Sequence, residues 1–280
     1  MTVRGENAVR RRIRSCEAAG LEVELSWHGV TDVGLRREVN QDSYVATPPI
    51  FAVADGMGGH AAGEIASEAV VRRLAELEGR TTVSHSDFEA ALDDAIEDIE
   101  LNVGETELGT GTTVTGLILG SDIEQPSWTV FNIGDSRVYQ LFKGALSQLT
   151  VDHSVVQHLV DTGQITEEEA EVHPHANVIT RAVGLGEDPM ADYSRLALIP
   201  GQRLLICSDG LTKELTDTGI KHYLGEAKTA REAAENLVAA ALGNLGRDNV
   251  TVLVIDVHSV GDSHETLEVP TLAVDDQTAG

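Results

Sequence analysis

Three aspartates stand at the ends of apolar runs: Asp55 in FAVADG, Asp209 in LLICSDG and Asp248 in GRDNVTVLVIDV. A single Asp-Gly pair reads as a tight turn. Three strand-end carboxylates read differently. If neighbouring strands bring them to one sheet edge, the crowding of like charges must be met by bound cations. All-oxygen ligands favour hard ions, Mg²⁺ or Mn²⁺, over zinc or copper. A pair of such ions roughly 4 Å apart can clamp a phosphoryl oxygen and turn a water into hydroxide, which is the chemistry of phosphoester hydrolysis. That reaction is among the slowest uncatalysed hydrolyses and needs a strong electrostatic contribution.

The stretch FAVADGMGGHAAGE carries Asp55 into a glycine-rich loop and then a helix-like segment, an order that can cradle phosphate. It fits neither standard cradle: no Lys follows as in a Walker loop, and Ala61 stands where the dinucleotide fingerprint needs its third glycine. Asp55 is then the candidate ligand, with the Gly56 carbonyl able to sit beside its carboxylate. An arginine should grip the phosphate in two-point fashion. The candidate is Arg37 in GLRREVNQDSY, ahead of Asn40 and Asp42 on an expected strand, with Arg36 facing the other way as a surface charge.

Elements must position these groups. IFAVADG, TTVTGLILG, SWTVFNIGDSRVYQLF, RLLICSDG and NVTVLVIDV are rich in β-branched and aromatic residues and read as strands, with TVFNIGDSRVYQLF as a hairpin. Helical spacing predicts amphipathic helices over 62–77, after Ser86 with a Ser86/Glu89 capping box, and after Thr229, capped with Glu232 and stopped by Gly243. Hairpins imply antiparallel sheets, and each helix needs its apolar face covered, so the fold class expected is α+β: two packed antiparallel sheets flanked by helices.

The chain has 280 residues, 41% hydrophobic, enough for a substantial core. Its net charge of −26 excludes nucleic acid and anionic membranes as partners, since neither is held by a field of its own sign. An anionic substrate must therefore meet a local cation, a role that divalent ions in direct contact fill. Cys16 and Cys207 are too few and too far apart for a disulfide scaffold, which points to a reducing cytosol. No apolar run approaches the roughly 20 residues of a membrane span, and no signal-peptide core is evident, so a soluble, cytoplasmic, monomeric protein is expected. Residues 1–25, with five arginines, read as a solvated basic arm, 26–258 as one catalytic domain, and 259–280 as an acidic, disordered tail.

Taken together, TDVGLRREVNQD, VADGMGGHAAGE, GTGTTV, FNIGDSRVYQL, the stretch from LTVDHS to RAVG, LLICSDGLTKELTD and GRDNVTVLVIDV follow one another in an order that resembles the metal-dependent Ser/Thr protein phosphatases, type 2C or PPM, in bacterial form. The resemblance covers nearly all of 26–258. It implies an αββα sandwich and a phosphoserine/phosphothreonine hydrolase with two Mn²⁺ or Mg²⁺ ions. Asp55 would bridge the ions, the Gly56 carbonyl would reach one through its shell, Asp209 and Asp248 would complete the site, and Arg37 would bind the substrate phosphate. A metal-bridging water would attack in line, without a phosphoenzyme. Phosphorylated proteins would be the partners, Ser/Thr kinases among them.

The chain departs from the family pattern in places. Gln41 replaces a frequent Glu, and Met57 stands where many members place a candidate general-acid His, with His60 nearby. A third ion, bound in some bacterial members, would have only Glu105 or Glu107 ahead of the GTT strand. The stretch 152–184 resembles the family's flap, with Thr166 and Glu169 capping a short helix; His153, His173 and His175 lack ligand spacing. Asp135 and Arg137 read as hairpin stabilisers. A cysteine phosphatase is excluded because the sixth residue after Cys207 is Lys213 rather than Arg. The remaining alternative is an inactive, phosphoprotein-binding scaffold of the same fold.

Overall fold

The computed structural model describes residues 1–16, 21–59, 62–103, 109–121, 126–185 and 190–262. His60, Glu105, Glu107 and the tail from 263 onward, on which readings above fall, lie outside the described residues. The strands are β1 (Val3–Gly5), β2 (Ala8–Cys16), β3 (Leu21–Asp32), β4 (Asp42–Thr47), β5 (Ile50–Met57), β6 (Gly111–Thr112), β7 (Val114–Ser121), β8 (Pro126–Ile133), β9 (Arg137–Phe142), β10 (Ala145–Gln148), β11 (Asp192–Ala197), β12 (Arg203–Cys207) and β13 (Val250–Asp262). The helices are α1 (Ala62–Ala75), α2 (His85–Val103), α3 (Val155–Asp161), α4 (Glu167–Glu171), α5 (Asp209–Thr212), α6 (Asp217–Glu226) and α7 (Ala230–Asn244).

The first sheet runs β1-β4-β5-β7-β8-β11, with β6 paired to β5, and the second runs β10-β9-β12-β13-β3-β2. All pairs are antiparallel except β1 with β4. Strand alternation builds the layers. Phe51 and Val53 of β5 pack between the sheets with Trp27, Trp128, Leu204, Ile206 and Leu253. The intervening Ile50, Ala52 and Ala54 meet α1 and α2 through Ala66, Val70, Leu74 and Phe88. On the other side, Leu205, Val252 and Val254 meet α6 and α7 through Leu224, Leu237 and Val238. The chain is therefore an α+β sandwich with helices on both outer faces, as the periodicities demand.

Local expectations shift in four places. TVFNIGDSRVYQLF is not a hairpin: β8 belongs to the first sheet and β9 to the second, so the Gly134–Ser136 turn crosses between layers. The cap of α2 is Ser84, whose Oγ accepts from Asp87 N (3.1 Å) while Asp87 Oδ2 accepts from Ser84 N (2.9 Å). Helix α7 does start from Thr229, but it runs through Gly243 and ends before Gly246, which takes a positive φ of 51°. Most of the supposed N-terminal arm is strand: β1 joins β4, and β2 lines the edge of the second sheet against β3. Ala8 and Ile13 pack on the inter-sheet core, and Arg10 reaches Glu24 at 3.0 Å, which converts a charge run into an edge strand with one wet face.

Candidate active site

Alternation also decides which acids reach the end of the sandwich. Asp55 follows Phe51 and Val53 in phase and so emerges on the inner face of β5. Asp42 is its register partner on β4. In the second sheet Ser208 follows Leu204 and Ile206 in phase, so Asp209 becomes the first residue of α5, and Asp248 sits two residues ahead of β13. Arg37, Asp55, Gly56, Asp209 and Asp248 line one cleft of about 250 Å³. All five sequence-derived site residues are thus brought together, although Arg37 lies in a loop after a turn at 34–36 rather than on a strand.

The cleft is strongly acidic, and two cations answer it. Arg37 forks onto Asp248, with Nε 2.8 Å from Oδ1 and Nη2 donating to Oδ2 at 3.0 Å. Lys213 Nζ lies 2.5 Å from Asp209 Oδ2 and 3.0 Å from Asp248 Oδ2. Burial pushes the Asp248 carboxyl up, but the Lys213 ammonium and the Arg37 guanidinium bring it to a net position below the usual carboxylate range. At Asp55 the Lys213 ammonium is outweighed: burial first, then the charges of Asp42, Asp209 and Asp135, hold the carboxyl well above that range.

Two further acids stand beside the predicted ones. Asp42, fully buried, accepts from Ser208 Oγ (2.8 Å) and Thr251 Oγ1 (2.7 Å) on the facing sheet, and burial raises its carboxyl to about 6. Asp135, at the crossing between sheets, lines the cleft and is raised to about 7 by burial and by Asp209 and Asp152. Its neighbour Arg137 does have a structural role, forking onto Asp152 at 2.7–3.0 Å.

Loops are pinned by short polar side chains. Asn249 Nδ2 donates to the carbonyls of Val33 (2.9 Å) and Val39 (3.0 Å), and its Oδ1 accepts from Gln41 N (2.9 Å). That clasp holds the loop bearing Arg37 beside Asp248. Glu214, only 2% exposed, accepts from Leu245 N and from Arg247 N and Nε, and so fixes the turn that leads into Asp248. Gly56 is needed for close approach: a Cβ there would stand 2.0 Å from the Gly63 carbonyl oxygen at the start of α1.

A family profile described as protein phosphatase 2C matches residues 36–245. The chain belongs to the protein phosphatase 2C family. Among curated relatives, the serine/threonine phosphatase stp of Listeria monocytogenes is 36% identical over 239 residues, covering 81% of this chain and 93% of that protein. The serine/threonine protein phosphatase PstP of Mycobacterium tuberculosis is 37% identical over 270 residues, 92% of this chain but 50% of its own, so the chain spans about half the length of that relative. A crystal structure of the mycobacterial PstP superposes with a TM-score of 0.76 at 36% identity, covering 84% of this chain and 99% of that one. A second structure, the PstP catalytic domain in complex with two manganese ions, gives 0.72 at 36% identity, with the same coverage of 84% and 99%.

The residues of this protein phosphatase 2C chain suit hard divalent cations. The donors are carboxylate oxygens, and Asp209 Oδ1 and Asp42 Oδ1 are buried without a hydrogen-bond partner among the described residues. As the side chains stand, no three acidic, imidazole or thiol groups among the described residues converge on one point, and the Lys213 ammonium lies between Asp209 and Asp248. The histidines are accounted for otherwise. His153 is buried, with Nδ1 accepting from Gly134 N (3.2 Å) and Nε2 facing Asp192 (3.1 Å), while His173 Nδ1 accepts from His175 N. The flap keeps its expected Thr166/Glu169 capping box, and its Asn177 and Ile179 reach the cleft beside Met57.

Asp42, Asp135 and Lys213 are the site residues that sequence reasoning missed. Asp42 opens an apolar run, SYVA, as the mirror image of the strand-end acids, and that signal was available. Asp135 was hidden by the hairpin reading, and Lys213 by its place on a short polar segment.

Proposed function

We propose that this protein is a metal-dependent phosphoprotein phosphatase that hydrolyses phosphoserine and phosphothreonine monoesters. The observation that carries the reading is the gathering of Asp55, Asp209 and Asp248, from both sheets, around one cleft with Arg37 at its rim. Two divalent ions, Mn²⁺ or Mg²⁺, would be held by Asp55, Asp209, Asp248 and the Gly56 carbonyl, and when bound they supply Lewis acidity toward a phosphoryl oxygen and a nucleophile from water.

The chain's own groups do the rest. Arg37, 51% exposed on its side chain and held at the rim by Asp248, would turn its planar fork from that carboxylate to an arriving phosphate and orient it. Buried carboxylates concentrate cations in a chain whose net charge of −26 otherwise repels phosphate. The hydroxyls of Ser208 and Thr251 hold the Asp42 carboxylate still behind Asp55. Kinases among the substrates, a monomeric state and a cytosolic home belong to the same proposal. No helix among the described residues is long and apolar enough to cross a membrane.

The test is phosphate release from a phosphothreonine peptide and from an aryl phosphate. The expected result is turnover that requires added Mn²⁺ or Mg²⁺, stops in excess chelator and is nearly abolished by Asp209→Asn. Full activity in chelator or in that variant overturns the reading, and phosphopeptide binding without any turnover replaces it with the scaffold.

A further inference from the structure

We propose that Lys213 is a resident counter-ion of the carboxylate site: its ammonium pairs Asp209 with Asp248 when no metal is bound, and divalent cations must displace it to load. The inference rests on the metal-dependent reading above and adds to it a residue that sets how tightly the ions are held.

Position comes first. Lys213 lies one helical turn after Asp209, and its backbone N–H donates to the Asp209 carbonyl at 2.8 Å, so the i, i+4 relation stacks the two side chains on one face. The backbone at this point is fixed from the other side as well, because the Lys213 carbonyl accepts from Arg247 Nη2 at 2.5 Å and the adjacent Glu214 holds the 245–247 turn. With the main chain anchored, only side-chain rotation can move the ammonium. Its side chain is 29% exposed and turns inward, meeting acids that are each 16% exposed, instead of reaching into water.

Chemistry follows from that position. An ammonium offers three donors and no acceptor, so at each carboxylate oxygen it engages it takes up a lone pair and sets a positive charge beside the place where a cation would ligate. Asp209 Oδ2 and Asp248 Oδ2 are both engaged, whereas Asp209 Oδ1 is buried without a partner among the described residues. Arg37 does not do the same. Among the described residues it pairs with Asp248 and not with Asp209, from the rim, and its side chain is 51% exposed. Lys213 is the described cation that joins the two acids delivered by the second sheet, and this gives it opposite effects on the two forms of the protein. It neutralises crowded carboxylates in the metal-free form, and it raises the free energy of binding each ion, both by competing for the oxygens and by like-charge repulsion.

The experiment is manganese binding to metal-stripped, full-length protein, by isothermal titration calorimetry, for the wild type, Lys213→Met and Lys213→Arg, together with the melting temperature of each metal-free form. Lys213→Met is expected to bind Mn²⁺ ~10-fold more tightly, the scale of one or two charge-assisted hydrogen bonds removed from the competition, and to melt lower when metal-free. Lys213→Arg is expected to stay near the wild type in both. Should Lys213→Met not fold, Lys213→Gln, similar in length and uncharged, carries the same expectation. A wild type that binds Mn²⁺ while the uncharged variants bind it equally or more weakly overturns the proposal and leaves the metal reading intact. A wild type that takes up no Mn²⁺ removes both.

Discussion

Asp42 and Asp55 are register partners on adjacent antiparallel strands, and the two acids meet opposite environments. Asp42 is closed off and accepts two hydroxyl donors from the facing sheet, whereas Asp55 opens to the cleft among other acids. Their substitution is expected to separate stability from activity. Asp42→Ala leaves two buried hydroxyls without their acceptor and should lower the metal-free unfolding free energy by about 1–3 kcal/mol in urea titrations. Asp55→Ala removes a carboxylate held in a costly charged environment, and should leave the metal-free stability unchanged or raised while lowering kcat at least ~100-fold. Equal destabilisation by both would contradict this division of labour.

The loop bearing Arg37 is expected to work as a unit with Asn249. Arg37→Lys keeps the charge but loses the fork, and kcat/KM on a phosphothreonine peptide should fall by roughly 10–100-fold. Asn249→Ala frees the Val33 and Val39 carbonyls and should raise KM in the same assay without touching any group that meets the phosphate. Unaltered steady-state constants in Asn249→Ala would show that the clasp is not needed to place Arg37.

Glu214 makes an acid-sensitive clasp. Burial acts to raise its carboxyl, but the Arg247 guanidinium and the backbone N–H groups of Arg247 and Leu245 outweigh it, so the folded value is below the ordinary 4.5. Between the two values the unfolded chain binds the proton more readily, so this contribution is present above the ordinary value and is lost as pH falls through the folded one. Glu214→Gln should therefore melt lower than the wild type at neutral pH, and the gap should close below pH ~4. A gap that is constant from neutral pH to below that point would refute the assignment.

Helix α7 gives a control far from the cleft. Thr229 Oγ1 accepts from Glu232 N at 3.1 Å, and its loss in Thr229→Ala should cost about 1 kcal/mol and lower Tm by roughly 2–4 °C, with kcat/KM unaffected.

Much of this was legible in the sequence for physical reasons. An apolar run ending in Asp-Gly, or beginning after Asp-Asn, marks both a strand and the point where backbone leaves the core, so Asp55, Asp209 and Asp248 announced themselves together. The layer architecture followed from helical and strand periods that each left one face to cover. What stayed hidden depends on non-local choices. The stretch around Gly134–Ser136 has the same local pattern whether the chain folds back in one sheet or crosses to the other, and that choice decides whether Asp135 reaches the cleft. Arg10 and its neighbours look like a solvated arm until Glu24 on β3 is opposite them. The clasp by Asn249 joins residues more than 200 positions apart, and no local pattern carries it.

The acids come from both layers of the sandwich, Asp55 from one and Asp209 and Asp248 from the other, at a seam bridged by Asp42 with Ser208 and Thr251. On the proposed reading, an ion seated there rivets the two sheets to each other. Unfolding then has to expel the rivet, and the stability gained grows as RT ln(1 + [ion]/Kd), about 2.7 kcal/mol at a hundredfold excess over Kd. Scarcity of divalent ions would therefore shorten the lifetime of the protein as well as silence it, so that its abundance and its turnover respond to the same supply.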